Sequence, residues 1–136
     1  MDVDRAFIDT NIFIYLYSAS EQAKREQCEQ LVDEYDRFVS TQVLNEFCNV
    51  AIKKLAMPAS AVRDAVSEIC EGCNLILVDD DTVQKALDFC EKYKYSDYDS
   101  LILASAIESD CRYIISEDLQ AGQLIDGKLT IVSPFS

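Results

Sequence analysis

The sequence predicts an α/β fold: a three-layer sandwich with a mostly parallel central sheet of four to five strands flanked by helices. Three observations predict it. Short apolar runs (AFI, RFVS, NLILV, YIIS, LTIVS) alternate with segments of helical periodicity. Of the 136 residues 49% are hydrophobic, and only three glycines and two prolines interrupt them, the composition of an ordered, helix-rich globule. No linker, repeat or low-complexity tract divides the chain, so residues 1–136 read as a single domain large enough to bury a core.

The elements follow in order. Residues 4–8, DRAFI, form a short buried strand that ends at Asp9-Thr10-Asn11, residue types that favour turns and helix starts. IFIYLYSA continues as a short apolar helix. From Ser20 to about Tyr35, apolar residues at Ala23, Cys28, Leu31, Val32 and Tyr35 mark an amphipathic helix. RFVS at 37–40 is the second strand, and Ser40 or Thr41 caps a helix running to about Ala56. A further helix spans Pro58 to about Gly72, with proline near its first turn and glycine at its end. NLILV at 74–78 reads as a fully buried strand. Asp79-Asp80-Asp81 lead into the helix TVQKALDFCEKYK, with their charges at its positive dipole end. Ser96-Asp97 open a nearly all-apolar helix, with Asp97 as its N-cap. YIIS at 113–116 is a strand, QAGQ a turn-like region, and LTIVS at 129–133 the last strand.

Bulk properties exclude several classes. The first residues, MDVDRAFID, lack a basic segment followed by a long apolar stretch, so no signal peptide is expected. No apolar run approaches the roughly 20 residues of a membrane span. The expected location is cytoplasmic, with no membrane partner. A lone C-x-x-C, Cys70 and Cys73, in a chain without histidine lacks two ligands of a structural zinc site. The other four cysteines fall in or beside helical patterns and read as reduced, packed thiols. A net charge of −13 excludes a general duplex-binding coat, which is normally basic.

Four acids punctuate otherwise apolar segments: Asp9, Glu46, Asp99 and Asp118. Asp9 and Asp118 follow strands, and ligands bind beyond the carboxyl ends of the strands in open parallel sheets. Glu46 lies mid-helix beside the stripe Val43, Phe47 and Val50, a costly place for a lone charge. Asp99 precedes Ile102 and Leu103 on an apolar helical face. Each has a simpler reading except Glu46: Asp9 can cap the helix after it, Ser96-x-x-Asp99 is a capping-box variant, and Asp118 can be a turn residue. Together, and without histidine, the four suggest oxygen ligands around Mg²⁺, with Mn²⁺ as a substitute. Lys53, Lys54, Arg63, Lys92, Lys94 and Arg112 are candidate phosphate contacts.

The segments FIDTNIFIYLY, STQVLNEF at 40–47, YSDYDSLILASAIESDC at 95–111 and YIISEDLQAGQ at 113–123 span nearly the whole chain. In their order and spacing the chain resembles the PIN-domain ribonucleases, in particular the VapC-like toxins of toxin–antitoxin pairs. The resemblance implies a PIN-like fold and a Mg²⁺-dependent endoribonuclease that hydrolyses RNA phosphodiesters, often of transfer RNA. It makes Asp9, Glu46, Asp99 and Asp118 the catalytic, metal-binding acids, supported by Thr10, Asn11 and Ser116. Asp97 lies close enough to Asp99 to assist it, and Glu117 is a weaker candidate. A cognate basic antitoxin is the implied inhibitor and a homodimer the implied assembly, with exposed apolar residues of the early helices as its surface. A catalytically silent binding module of the same fold is the alternative. A receiver-type phosphoacceptor fits poorly, because Lys128 precedes the last strand rather than following one. A D-x-D phosphatase fits poorly too, because Asp2-Val-Asp4 precedes the first strand.

Overall fold

The computed structural model describes residues 3–135. In chain order the elements are β1 (Arg5–Ile8), α1 (Thr10–Tyr17), α2 (Gln22–Val32), β2 (Asp36–Ser40), α3 (Thr41–Lys53), α4 (Ala59–Gly72), β3 (Asn74–Ile76), α5 (Asp80–Tyr93), α6 (Asp97–Glu108), β4 (Tyr113–Ile115), β5 (Leu124–Ile125) and β6 (Leu129–Val132). The six strands form one sheet in the order β3-β2-β1-β4-β6-β5. All neighbouring pairs are parallel except β5 with β6. None of the described helices is long and apolar enough to cross a membrane.

Burial explains the choice of strands. Ala6, Phe7 and Ile8 in β1, and Ile114 and Ile115 in β4, are wholly buried, as expected of central parallel strands covered on both faces. From β1 the chain moves outward to β2 and β3, then crosses back to place β4 on the other side of β1. Right-handed crossovers therefore put α1–α4 on one face and α5–α6 on the other, in keeping with the contacts of α1 with α3, α3 with α4, and α5 with α6. The reversal makes the gap between the carboxyl ends of β1 and β4 the switch point of the sheet, where ligands of such folds bind. Asp9 leaves β1 at that gap, donating its backbone N–H to Ile115 O at 3.0 Å.

Helix starts are secured by side chains. Ser40 accepts from Val43 N at 3.3 Å to open α3, and Asp79 accepts from Thr82 N at 3.0 Å to open α5. Asp80 and Asp81 sit in the first turn of α5, as the dipole favours. At α6 the cap is Ser96, which accepts from Asp99 N at 3.1 Å; Asp97 is the first helical residue rather than the cap. Serine wins because its short hydroxyl reaches the third amide while its own backbone is extended.

Three expectations need correction. NLILV is not a buried strand: β3 is three residues long, with Leu75 43% and Leu77 70% exposed. It is the last strand of the sheet and has only one neighbour, so much of its apolar surface faces outward. A sixth strand, β5, joins β6 through a turn in which Asp126 and Gly127 both have positive φ. The expected apolar surface also moves. Among the described residues, α1 and α2 carry no exposed large apolar side chain; Ile52, Val83, Leu87 and Tyr98, on α3, α5 and α6, are exposed.

Candidate active site

Three consecutive residues organise the site. Asp9 is the N-cap of α1 and is buried; its Oδ1 accepts from Thr10 N at 2.7 Å and its Oδ2 accepts from Ser116 Oγ at 2.7 Å. Thr10 Oγ1 donates to Glu46 Oε2 at 2.7 Å. Asn11 Nδ2 donates to Asp118 Oδ2 at 2.8 Å. The turn after β1 thus supplies one carboxylate and ties two others to it, from α3 and from the loop after β4. The periodicity of α3 that puts Val43 and Phe47 in the core leaves Glu46 half-buried at the edge of that stripe, where Gln42 Nε2 also donates to its Oε1 at 3.2 Å.

Ser116 is wholly buried and works in both directions. Besides donating to Asp9, its hydroxyl accepts from Asp118 N at 3.2 Å and Leu119 N at 3.3 Å, which folds the loop after β4 back over the switch point. Asp99 closes its capping pattern with Ser96, and is half-buried near Asp118 and Glu46. Glu117 points elsewhere, accepting from Tyr15 Oη at 2.7 Å. Asp97 is exposed on the first turn of α6.

The electrostatics follow from crowding. Burial pushes the Asp9 carboxyl up from 3.8 to about 6; the bonds from Ser116 and Thr10 oppose this, and the charges of Asp118 and Asp99 add to it. Burial also raises Asp99, opposed by Ser96 and reinforced by Asp118 and Glu46. The acids therefore feel one another across the switch point. Their spacing is open: among the described residues, the trio with carboxylate oxygens all within 4.8 Å of one another is instead Asp79, Asp80 and Asp81, exposed at the start of α5. That trio is explained by helix capping, and we give it no ligand role. The donor set at the switch point is all carboxylate, with hydroxyl and amide groups behind it and no histidine or thiolate, which suits a hard cation.

Other features do not join the site. All six cysteines are free, and burial holds Cys28, Cys73 and Cys111 at about 11, so they are protonated thiols at neutral pH. A cavity of about 290 Å³ lined by Phe13, Leu16, Tyr17 and Ile69 contains none of the four acids. Lys128 sits in the β5–β6 turn, far from the strand-end position a phosphoacceptor lysine needs. Asp4 precedes β1, and Asp2 lies outside the described residues, so the D-x-D reading gains no support. The supporting residue that sequence reasoning missed is Gln42; it lies one helical turn before Glu46, and that i, i+4 spacing was the available signal.

A mostly parallel sheet with acids gathered at its switch point defines a doubly wound domain with a carboxylate-lined edge. The chain belongs to the PIN-domain family, whose model matches residues 6–124. Similar solved structures include a toxin–antitoxin complex from Klebsiella pneumoniae, 25% identical over 96% of this chain and 98% of that one, with a TM-score of 0.72. The sarcin–ricin-loop-cleaving toxin VapC20 of Mycobacterium tuberculosis is 17% identical over 80% and 86% of the two chains, with a TM-score of 0.68. VapBC2 from Rickettsia felis, bound to a fragment of promoter DNA, is 16% identical over 95% and 98%, with a TM-score of 0.67. No curated protein matches the sequence.

Proposed function

We propose that this PIN-domain protein is a metal-dependent endoribonuclease and the toxin of a toxin–antitoxin pair. The observation that carries this reading is the wiring of Asp9, Thr10 and Asn11 to Ser116, Glu46 and Asp118 at the switch point. Such a concentration of partly buried negative charge is unfavourable unless a cation joins it.

Asp9, Glu46, Asp99 and Asp118 are the residues that would hold Mg²⁺, or Mn²⁺ in its place. Bound there, the ion supplies acidification of water and charge neutralisation at a scissile phosphate. The chain's own groups do the positioning. Ser116 and the Thr10 amide fix both oxygens of Asp9, while Thr10 Oγ1 and Gln42 fix those of Glu46. Asn11 leaves Asp118 Oδ1 free to face a ligand. The open spacing of the acids suits magnesium, which dehydrates reluctantly and keeps several waters.

The substrate on this reading is a structured RNA such as transfer RNA; the sarcin–ricin-loop cleavage attributed to VapC20 supports the same substrate class. The similarity to toxin–antitoxin complexes and the charge of −13 support a basic cognate antitoxin as inhibitor. A cytoplasmic homodimer completes the reading. The test is cleavage of total cellular RNA by the purified full chain: activity with Mg²⁺, none in EDTA, and a fall of about 100-fold or more in kcat for Asp9→Asn and Asp118→Asn. Cleavage that persists in EDTA, or an Asp9→Asn variant with full activity, would remove the metal-dependent reading.

A further inference from the structure

Between α1 and α3, against Asp118, lies a cavity of about 340 Å³. Asn11 and Asp118 form part of its wall, so it is continuous with the site described above. Ile14 from α1 and Val50 from α3, both half-buried, are its apolar groups, together with the ring of Tyr15. Lys54, the C-cap of α3, is the one cation in that wall. It is exposed and forms no ion pair or side-chain hydrogen bond among the described residues. Its ammonium group is therefore available to a ligand that enters beside Asp118.

We propose that this cavity is the subsite for one unpaired nucleotide flanking the cleaved bond, with Ile14 and Val50 against its base and Lys54 on a phosphate. The proposal rests on the nuclease reading and adds to it a place and a residue that select substrate. The cavity is of the size at which small-molecule sites begin, roughly 300 Å³. Its volume is on the scale of a single nucleotide. Bases of RNA become available to such a wall only where they are unstacked, in loops, bulges and ends. The site therefore selects single-stranded positions by fit, without the broad basic surface that duplex binding needs.

The test uses the full chain in EDTA, so that nothing is cleaved, and titrates it with each of the four nucleoside 5′-monophosphates while following backbone amides by NMR. At least one monophosphate should shift Ile14, Val50 and Lys54 saturably. Lys54→Met should weaken it about fivefold and Lys54→Arg restore it, because the phosphate contact needs only a charge. For a single-stranded RNA probe, Lys54→Met should reduce the slope of log affinity against log salt by about 0.7, the share of one phosphate on a single strand. Val50→Phe, which fills the cavity, should abolish monophosphate binding while the remaining amides keep their positions. The proposal is overturned if none of the monophosphates shifts these residues, or if Lys54→Met and Val50→Phe both bind as the parent does. It is overturned equally if Val50→Phe abolishes binding of the cognate antitoxin and leaves monophosphate binding unchanged, which would assign the cavity to the inhibitor. Binding of monophosphates by a chain that cleaves no RNA would support the subsite and sink the nuclease reading; RNA cleavage without any such binding would do the reverse.

Discussion

Asp9 caps α1 yet is buried, a costly place for its charge. Burial holds its proton up to about pH 6 in the folded chain, against 3.8 when unfolded. Between those values the native state binds more protons, so the stability of the metal-free protein falls as pH rises from about 4 to 6 and levels off above. The ionised group then costs roughly 3 kcal/mol, an order-of-magnitude figure. Asp9→Asn should remove that cost. Its melting temperature in EDTA at neutral pH should exceed that of the parent and lose the acid-side rise, while addition of Mg²⁺ should stabilise only the parent; melts from pH 4 to 8 with and without the ion check both. Ser116→Ala should act in the opposite sense. It deprives Asp9 of a donor and two amides of an acceptor, so metal affinity measured by calorimetry should fall about 10- to 100-fold. The hydroxyl is wholly buried, so a loss of about 1–3 kcal/mol in stability should accompany it.

At the scale of elements, what could be read from sequence depended on how many neighbours an element has. β1, β2, β4 and β6 were legible because each is paired on both sides and packs apolar residues. NLILV has the same apolar content, but composition does not reveal that a strand stands at the edge, and so β3 was given a burial it lacks. β5 escaped because two residues make no pattern; it exists through its turn, where Asp126 and Gly127 take φ of 53° and 66°. Asp-Gly between apolar runs was the available cue. Gly127→Val should therefore cost about 1–2 kcal/mol, the strain of a β-branched residue at positive φ, and hydrogen exchange should locate the loss in β5 and β6. The four acids were legible as exceptions to apolar patterns. The threonine, asparagine and glutamine that orient them were harder, because polar residues at helix starts have ordinary capping explanations and only the fold shows which acid each one holds.

The whole molecule carries a net charge of −13 on 136 residues. Self-repulsion of that size destabilises the compact state and is screened once the Debye length shrinks to a few ångströms. Raising NaCl from about 50 to about 500 mM should accordingly raise the melting temperature, and a flat response would mean that local pairing already balances the charge. The architecture concentrates its own vulnerability. Because Asp9, Thr10 and Asn11 together reach Ser116, Glu46 and Asp118, three adjacent codons govern the alignment of groups drawn from the entire polypeptide. Surface drift elsewhere leaves that alignment untouched, whereas a one-base change in that triplet of codons removes part of it. On the proposed toxin reading, cells forced to express the chain should escape most often through changes in those three codons, which sequencing of surviving clones would check.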